Sequence, residues 1–114
     1  MGKDNSSVSM EHLRAAARHE LYEISRHAER ERQNDDLSLA AVEHVLFSGE
    51  VIESYPDDPR GPSCLLCGLA PDGRPVHVVV GFLPTGWIRV ITVYVPSPDK
   101  WEQDWKTRKG SEAP

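Results

Sequence analysis

The sequence predicts an α+β domain: two N-terminal helices packed on one face of a small, mainly antiparallel β-sheet, with a short C-terminal helix. Three observations predict it. Apolar residues recur at helical spacing before Gly49. Beyond Gly49 the chain changes to runs rich in β-branched residues. Proline- and glycine-containing turn signals separate those runs. The expected order is two helices, about four strands and a final short helix. At 114 residues the chain suits one domain with a modest core.

Residues 1–8 are polar and expected to be disordered, so the domain is placed at 9–108, with a loose tail at 109–114. Met10, Leu13, Ala17, Leu21, Ile24 and Ala28 recur at alternating three- and four-residue steps, which predicts one amphipathic helix of about 20 residues. The charged run ERERQNDD ends it. Ser38 is a natural N-cap for the second helix. Leu39, Val42, Val45 and Leu46 form its buried stripe, and Gly49 stops it.

EVIESY then reads as a short strand and YPDDPRGP as a loop. SCLLCGLA, RPVHVVVGFL and WIRVITVYV read as three further strands. Ser97 and Pro98 suit the N-cap and first position of a final helix carrying Trp101 and Trp105 one turn apart, folded back onto the sheet.

An Asp72-Gly73 two-residue turn sets the register of the first hairpin. Gly68 then lies opposite His77, Leu66 opposite Val79, and Cys64 opposite Gly81. Leu65, Cys67 and Leu69 share the other face with Val76, Val78 and Val80. A four-residue loop at LPTG or PTGW places His77 opposite Thr92 or Tyr94, a parity that a three-residue loop breaks. One face is then aliphatic, with Val76, Val78, Val80, Phe82, Ile91 and Val93, and should take the helices. The other carries His77, Gly81, Thr92 and Tyr94 and is where a ligand would sit.

Both cysteines stand in SCLLCG. Strand side chains alternate, so residues three apart point to opposite faces, whereas a redox or zinc site needs both sulfurs together. Cys64 and Cys67 therefore read as small strand residues, and neither a metal site nor a cofactor is expected.

His77 and Tyr94 are the strongest catalytic candidates, because imidazole titrates near neutrality and a phenol can donate a proton. Arg60 and Arg74 lie in loops at the ends of the sheet, suited to phosphate. His27 and Arg30 flank the seam of the first helix, with Glu23 one turn earlier. There is no P-loop, GxSxG or HExxH motif, and the acidic pair at 57–58 lacks EF-hand spacing. The net charge of −5, from 13 basic and 18 acidic residues, opposes a generic polyanion binder. No apolar run approaches the roughly 18 residues that span a bilayer, so no membrane is expected. MGKDNSSVSM lacks an apolar leader core, and the two cysteines suit a reducing cytoplasm.

The stretch SRHAERERQNDDLSLAAVEHVLFSGEVIESYPDDPRGPSCLLCGLAPDGRPVHVVVG, followed by ITVYVPSPDKW, resembles a prokaryotic family of domains of unknown function grouped with the RelE/ParE-like toxin superfamily. The shared features are HAxxR at His27 and Arg30, GEVIExYPDD at Gly49–Asp58, PxHVVV at Pro75–Val80 and TVYxPxPxxW at Thr92–Trp101. They span roughly residues 20–108. The resemblance implies a RelE-like fold and a toxin of a toxin–antitoxin system, held by a DNA-binding antitoxin from a neighbouring gene. RelE-like members cleave messenger RNA on the ribosome without metal, whereas ParE-like members act on gyrase. By position it implies His77 and Tyr94 as acid–base groups, with Arg60, Arg74 and Arg108 on phosphate. RelE-like ribonucleases are usually basic and this chain is acidic, so its positive patch must come from Arg60, Arg74, Arg89, Lys106, Arg108 and Lys109. The alternative is a non-catalytic protein-interaction module of the same fold.

Overall fold

The computed structural model describes residues 5–110. The elements in chain order are α1 (Asn5–Arg18), β1 (Tyr22–Ile24), α2 (Arg26–Asn34), α3 (Leu39–Ser48), β2 (Glu50–Tyr55), β3 (Ser63–Leu69), β4 (Pro75–Phe82) and β5 (Ile88–Tyr94). The expected disordered segment at 1–8 lies partly outside the described residues, and α1 already begins at Asn5. Of the tail, residues 111–114 lie outside them.

The single long helix expected over 10–28 is instead two helices with a strand between. Glu20 takes a left-handed conformation (φ 59°). The Glu20 N–H donates to Ala17 O, and the Leu21 N–H to Ala16 O at 2.8 Å, closing α1 with a Schellman motif. The next three residues become β1, which runs parallel to β5 with Tyr22 opposite Ile88. Ser25 restarts the helix: its Oγ accepts from the Ala28 N–H at 3.0 Å. The 3-4 spacing persists through the break because Leu13, Ala17 and Ala28 still reach one core, so periodicity alone does not reveal it.

The sheet order is β1-β5-β4-β3-β2. It is mixed, since the added β1 pairs parallel while the other pairings are antiparallel. Residues from α1, α2 and α3 share a buried cluster with Val76, Val78, Val80, Ile88, Val90 and Val93. α2 also borders the edge of β5 beyond β1, where Ser25, Glu31 and Asp35 bond Ile91 O, Val93 N and Val95 N. Ser38 caps α3 as expected, accepting from the Ala41 N–H at 3.0 Å. Ala41 takes the buried place expected of Leu39, which is 41% exposed.

Gly49 ends α3 through close approach, with φ at −72° rather than left-handed. A Cβ there would stand 2.7 Å from Val45 O and 3.1 Å from Cys67 O. Both obstacles are backbone, so Gly49→Ala is expected to destabilise the fold by about 1–3 kcal/mol. A thermal melt within 1 °C of the parent would contradict this.

The first hairpin differs from the expected register by one residue. Its loop is Pro71-Asp72-Gly73, with the Ala70 N–H donating to Arg74 O at 2.8 Å and Gly73 left-handed (φ 93°). A two-residue turn would need a positive φ at Asp72 as well, and the fixed φ of Pro71 suits the first position of the longer loop. Cys67 therefore faces His77, and Cys64 faces Val80. The two sulfurs do lie on opposite faces: Cys64 in the helix-side cluster, Cys67 beside Trp105.

The second loop also has three residues, Pro84-Thr85-Gly86, with the Leu83 N–H donating to Trp87 O at 2.9 Å. That length would break the parity, but a bulge restores it. Val80 pairs with Val90 while Val79 pairs with Thr92, leaving Ile91 extra. His77 thus lies opposite Tyr94. Ile91, expected on the aliphatic face, joins Thr92 on the mixed face, where its Cδ1 would stand 3.0 Å from a Cβ on Gly81.

The expected C-terminal helix does not form. Ser97 starts a turn, with its carbonyl accepting from Lys100 and Trp101. The chain then doubles back through a Trp101–Arg108 bridge. Glu102 accepts the Trp105 N–H and donates its own to Thr107 O, so these backbone groups serve a loop and not a helical turn.

Candidate functional site

The mixed face is divided into a covered half and an open half. The C-terminal segment covers the first. Trp101 is 3% exposed, and its ring meets His77 edge-on at 4.5 Å. His77 is fully buried. Its Nε2 lies 2.6 Å from Trp105 O, and its Nδ1 3.1 Å from the Tyr94 hydroxyl. A carbonyl only accepts, so Nε2 carries the proton and Nδ1 accepts from Tyr94. Burial lowers the His77 pKa against the pull of the Trp105 carbonyl, and the ring is neutral. Burial likewise raises the Tyr94 pKa.

Arg108 closes this half. It forks onto Glu53 at 2.7 and 3.0 Å and lies 4.7 Å from the Trp101 ring centroid. That hydrogen bonding holds the Glu53 carboxyl below its ordinary range and raises Arg108 further. Lys106 adds an ion pair to Glu50 at 3.2 Å.

The open half is a cleft of about 610 Å³. Val79, Gly81, Ile91 and Thr92 form its floor, with Ser25, His27, Tyr55, Asp58, Arg60 and Arg89 around it. The side chain of His27 is 62% exposed, and its Nε2 lies 3.1 Å from Glu31 Oε2. Arg60 pairs with Asp58 at 3.3 Å, and Arg89 with Glu23 at 2.5 Å. Tyr55 donates to Glu53, so it joins the two halves. Burial and then Glu53 push its pKa up to about 12.

The candidates named from sequence therefore separate into groups. His77 and Tyr94 come together beneath the C-terminal segment, and Arg108, half exposed, belongs to the segment that covers them. His27 and Arg60 meet in the open cleft. Arg30 is exposed on α2, one turn beyond His27. Arg74 stands apart: its guanidinium bonds Asp35 O, Asp36 O and Asp72, tying the β3–β4 loop to the end of α2. Glu23 lies on β1 and serves Arg89, whereas Glu31 serves His27.

Glu31 and Ser25 were not singled out in the sequence. The four-residue step from His27 to Glu31 on a helix was the available signal for the first. Ser25, a residue type favoured at N-caps, was the signal for the second. The hand-over of Arg89 into the cleft depends on the bulge and on β1, and no local pattern announces it.

A family model, Domain of unknown function (DUF4258), matches residues 24–95. The chain belongs to this family. The matched span holds the cleft residues from Ser25 to Thr92 and stops before the segment that covers His77. No curated protein and no solved structure matches the chain. Among the described residues, no helix is long and apolar enough to cross a membrane, and no three His, Cys, Asp or Glu side chains are grouped to hold a metal ion.

Proposed function

We propose that this domain is a toxin-type protein whose open cleft cleaves RNA, with His27 rather than His77 as the acid–base group. The observation that carries the reading is the cleft itself, which gathers an exposed imidazole, two guanidiniums and a largely apolar floor. RNA supplies its own nucleophile. The His27 Nδ1 takes the proton of a ribose 2′-hydroxyl, whose oxygen bonds to phosphorus. The P–O5′ bond breaks, and the departing oxygen takes a proton from water. The products are a 2′,3′-cyclic phosphate and a 5′-hydroxyl. Arg60 and Arg89 stabilise the charge that gathers on phosphate. The resemblance to RelE/ParE-like toxins supports the same class, with translated messenger RNA on the ribosome as substrate and a cognate antitoxin as restraint.

A second reading, a non-catalytic protein-interaction module, draws on one observation: each cleft guanidinium already has a carboxylate partner. The purified protein mixed with RNA, with and without translating ribosomes, separates the two. Fragments ending in a cyclic phosphate are expected. RNA left intact in both mixtures would remove the nuclease reading and leave the interaction module.

A further inference from the structure

We infer that Glu31 is a positioning residue, which fixes the tautomer and direction of His27 from an anchor on the sheet; the inference rests on the cleft reading above. The two carboxylate oxygens have separate tasks. Oε1 accepts the Val93 N–H at 2.9 Å, and Oε2 meets His27 Nε2 at 3.1 Å. The first bond ties Glu31 to β5 just past the Ile91 bulge. Two more bonds hold the start of α2 in place: the Ser25 N–H donates to Val90 O at 2.9 Å, and its hydroxyl to Ile91 O at 3.0 Å. The helix bearing His27 is thus registered against the strand that supplies the cleft floor.

A carboxylate accepts only, so it selects the ring with hydrogen on Nε2 and leaves the Nδ1 lone pair free as the base. The bond is part of the surface, but its carboxylate is already immobilised by the backbone, so little further freedom is lost in forming it.

Glu31→Gln separates position from charge. The Gln carbonyl oxygen can still accept from Val93, which turns the amide nitrogen toward His27. Nε2 must then accept, and the ring hydrogen moves to Nδ1, the wrong tautomer for a base. The test is ¹⁵N NMR of histidine-labelled protein in mildly alkaline buffer, with His27 assigned through His27→Asn. The parent should show hydrogen on Nε2, and Glu31→Gln on Nδ1. The Val93 amide should stay protected from exchange and the melting temperature unchanged. Cleavage should fall about 10²-fold or more. A His27 ring in Glu31→Gln with the parental tautomer would overturn the inference, whatever the activity. If the tautomer moves while the parent cleaves no RNA, the positioning role stands and the nuclease reading falls.

Discussion

His77→Ala is expected to cost about 3–4 kcal/mol of folding stability, the largest effect of any single substitution considered. The imidazole is fully buried beneath Trp101, and both of its nitrogens are engaged. Its removal opens a cavity and strands the Tyr94 hydroxyl and the Trp105 carbonyl together. Urea unfolding would measure the loss. His77→Phe fills the volume and leaves the carbonyl unpaired, so it should cost about 1–3 kcal/mol. A loss below about 1 kcal/mol in His77→Ala would show that the C-terminal segment does not seal this half of the sheet.

The same burial gives a pH dependence. The His77 pKa is lowered in the folded protein, so the unfolded chain binds the extra proton first as pH falls. The contribution of His77 is therefore complete above its unfolded value of about 6.5. It declines as pH falls from there toward the lowered folded value. Parental stability should drop through that window more steeply than that of His77→Phe. Parallel curves would mean that the ring is not held neutral.

His27→Ala is expected to behave in the opposite way. Its side chain is 62% exposed and paired only at the surface, so the melting temperature should hardly move. RNA cleavage should fall about 10²–10⁴-fold, as is usual when a general acid–base group is removed. Growth arrest on induced expression should be lost with it. A fully toxic His27→Ala would remove His27 from the chemistry. Because His77→Ala lowers activity through unfolding, the two variants must be compared at equal folded fractions.

The two histidines show how far residue type carries without position. Both were legible as candidates, because histidine is the residue type best suited to acid–base work and each stands in a readable strand or helix pattern. Their difference is solvent. It is made by Trp101, Trp105 and Arg108, which reach His77 or Glu53 from 24 or more positions away along the chain. Arg74 and Arg60 divide for a similar reason. Both lie in loops, but the carbonyls at the end of α2 claim Arg74, whereas Arg60 pairs with its neighbour Asp58.

What the sequence by itself determined was local. Ser38 caps a helix because its hydroxyl reaches an N–H three residues on, and that geometry needs no distant partner. The β-branched runs became β2 to β5, and Gly73 and Gly86 took the left-handed positions in their loops. What only the tertiary structure decided was the direction of each side chain. The left-handed turn at Glu20 is compensated by pairing β1 with β5, more than 60 residues later. One extra loop residue, Pro71, moved Cys67 to the side of His77, and one bulge at Ile91 returned Tyr94 to it. Strand side chains alternate with a period of two, so a single residue of register carries a whole strand from one face to the other. That choice is made by the summed packing of both faces, which no short stretch of sequence contains.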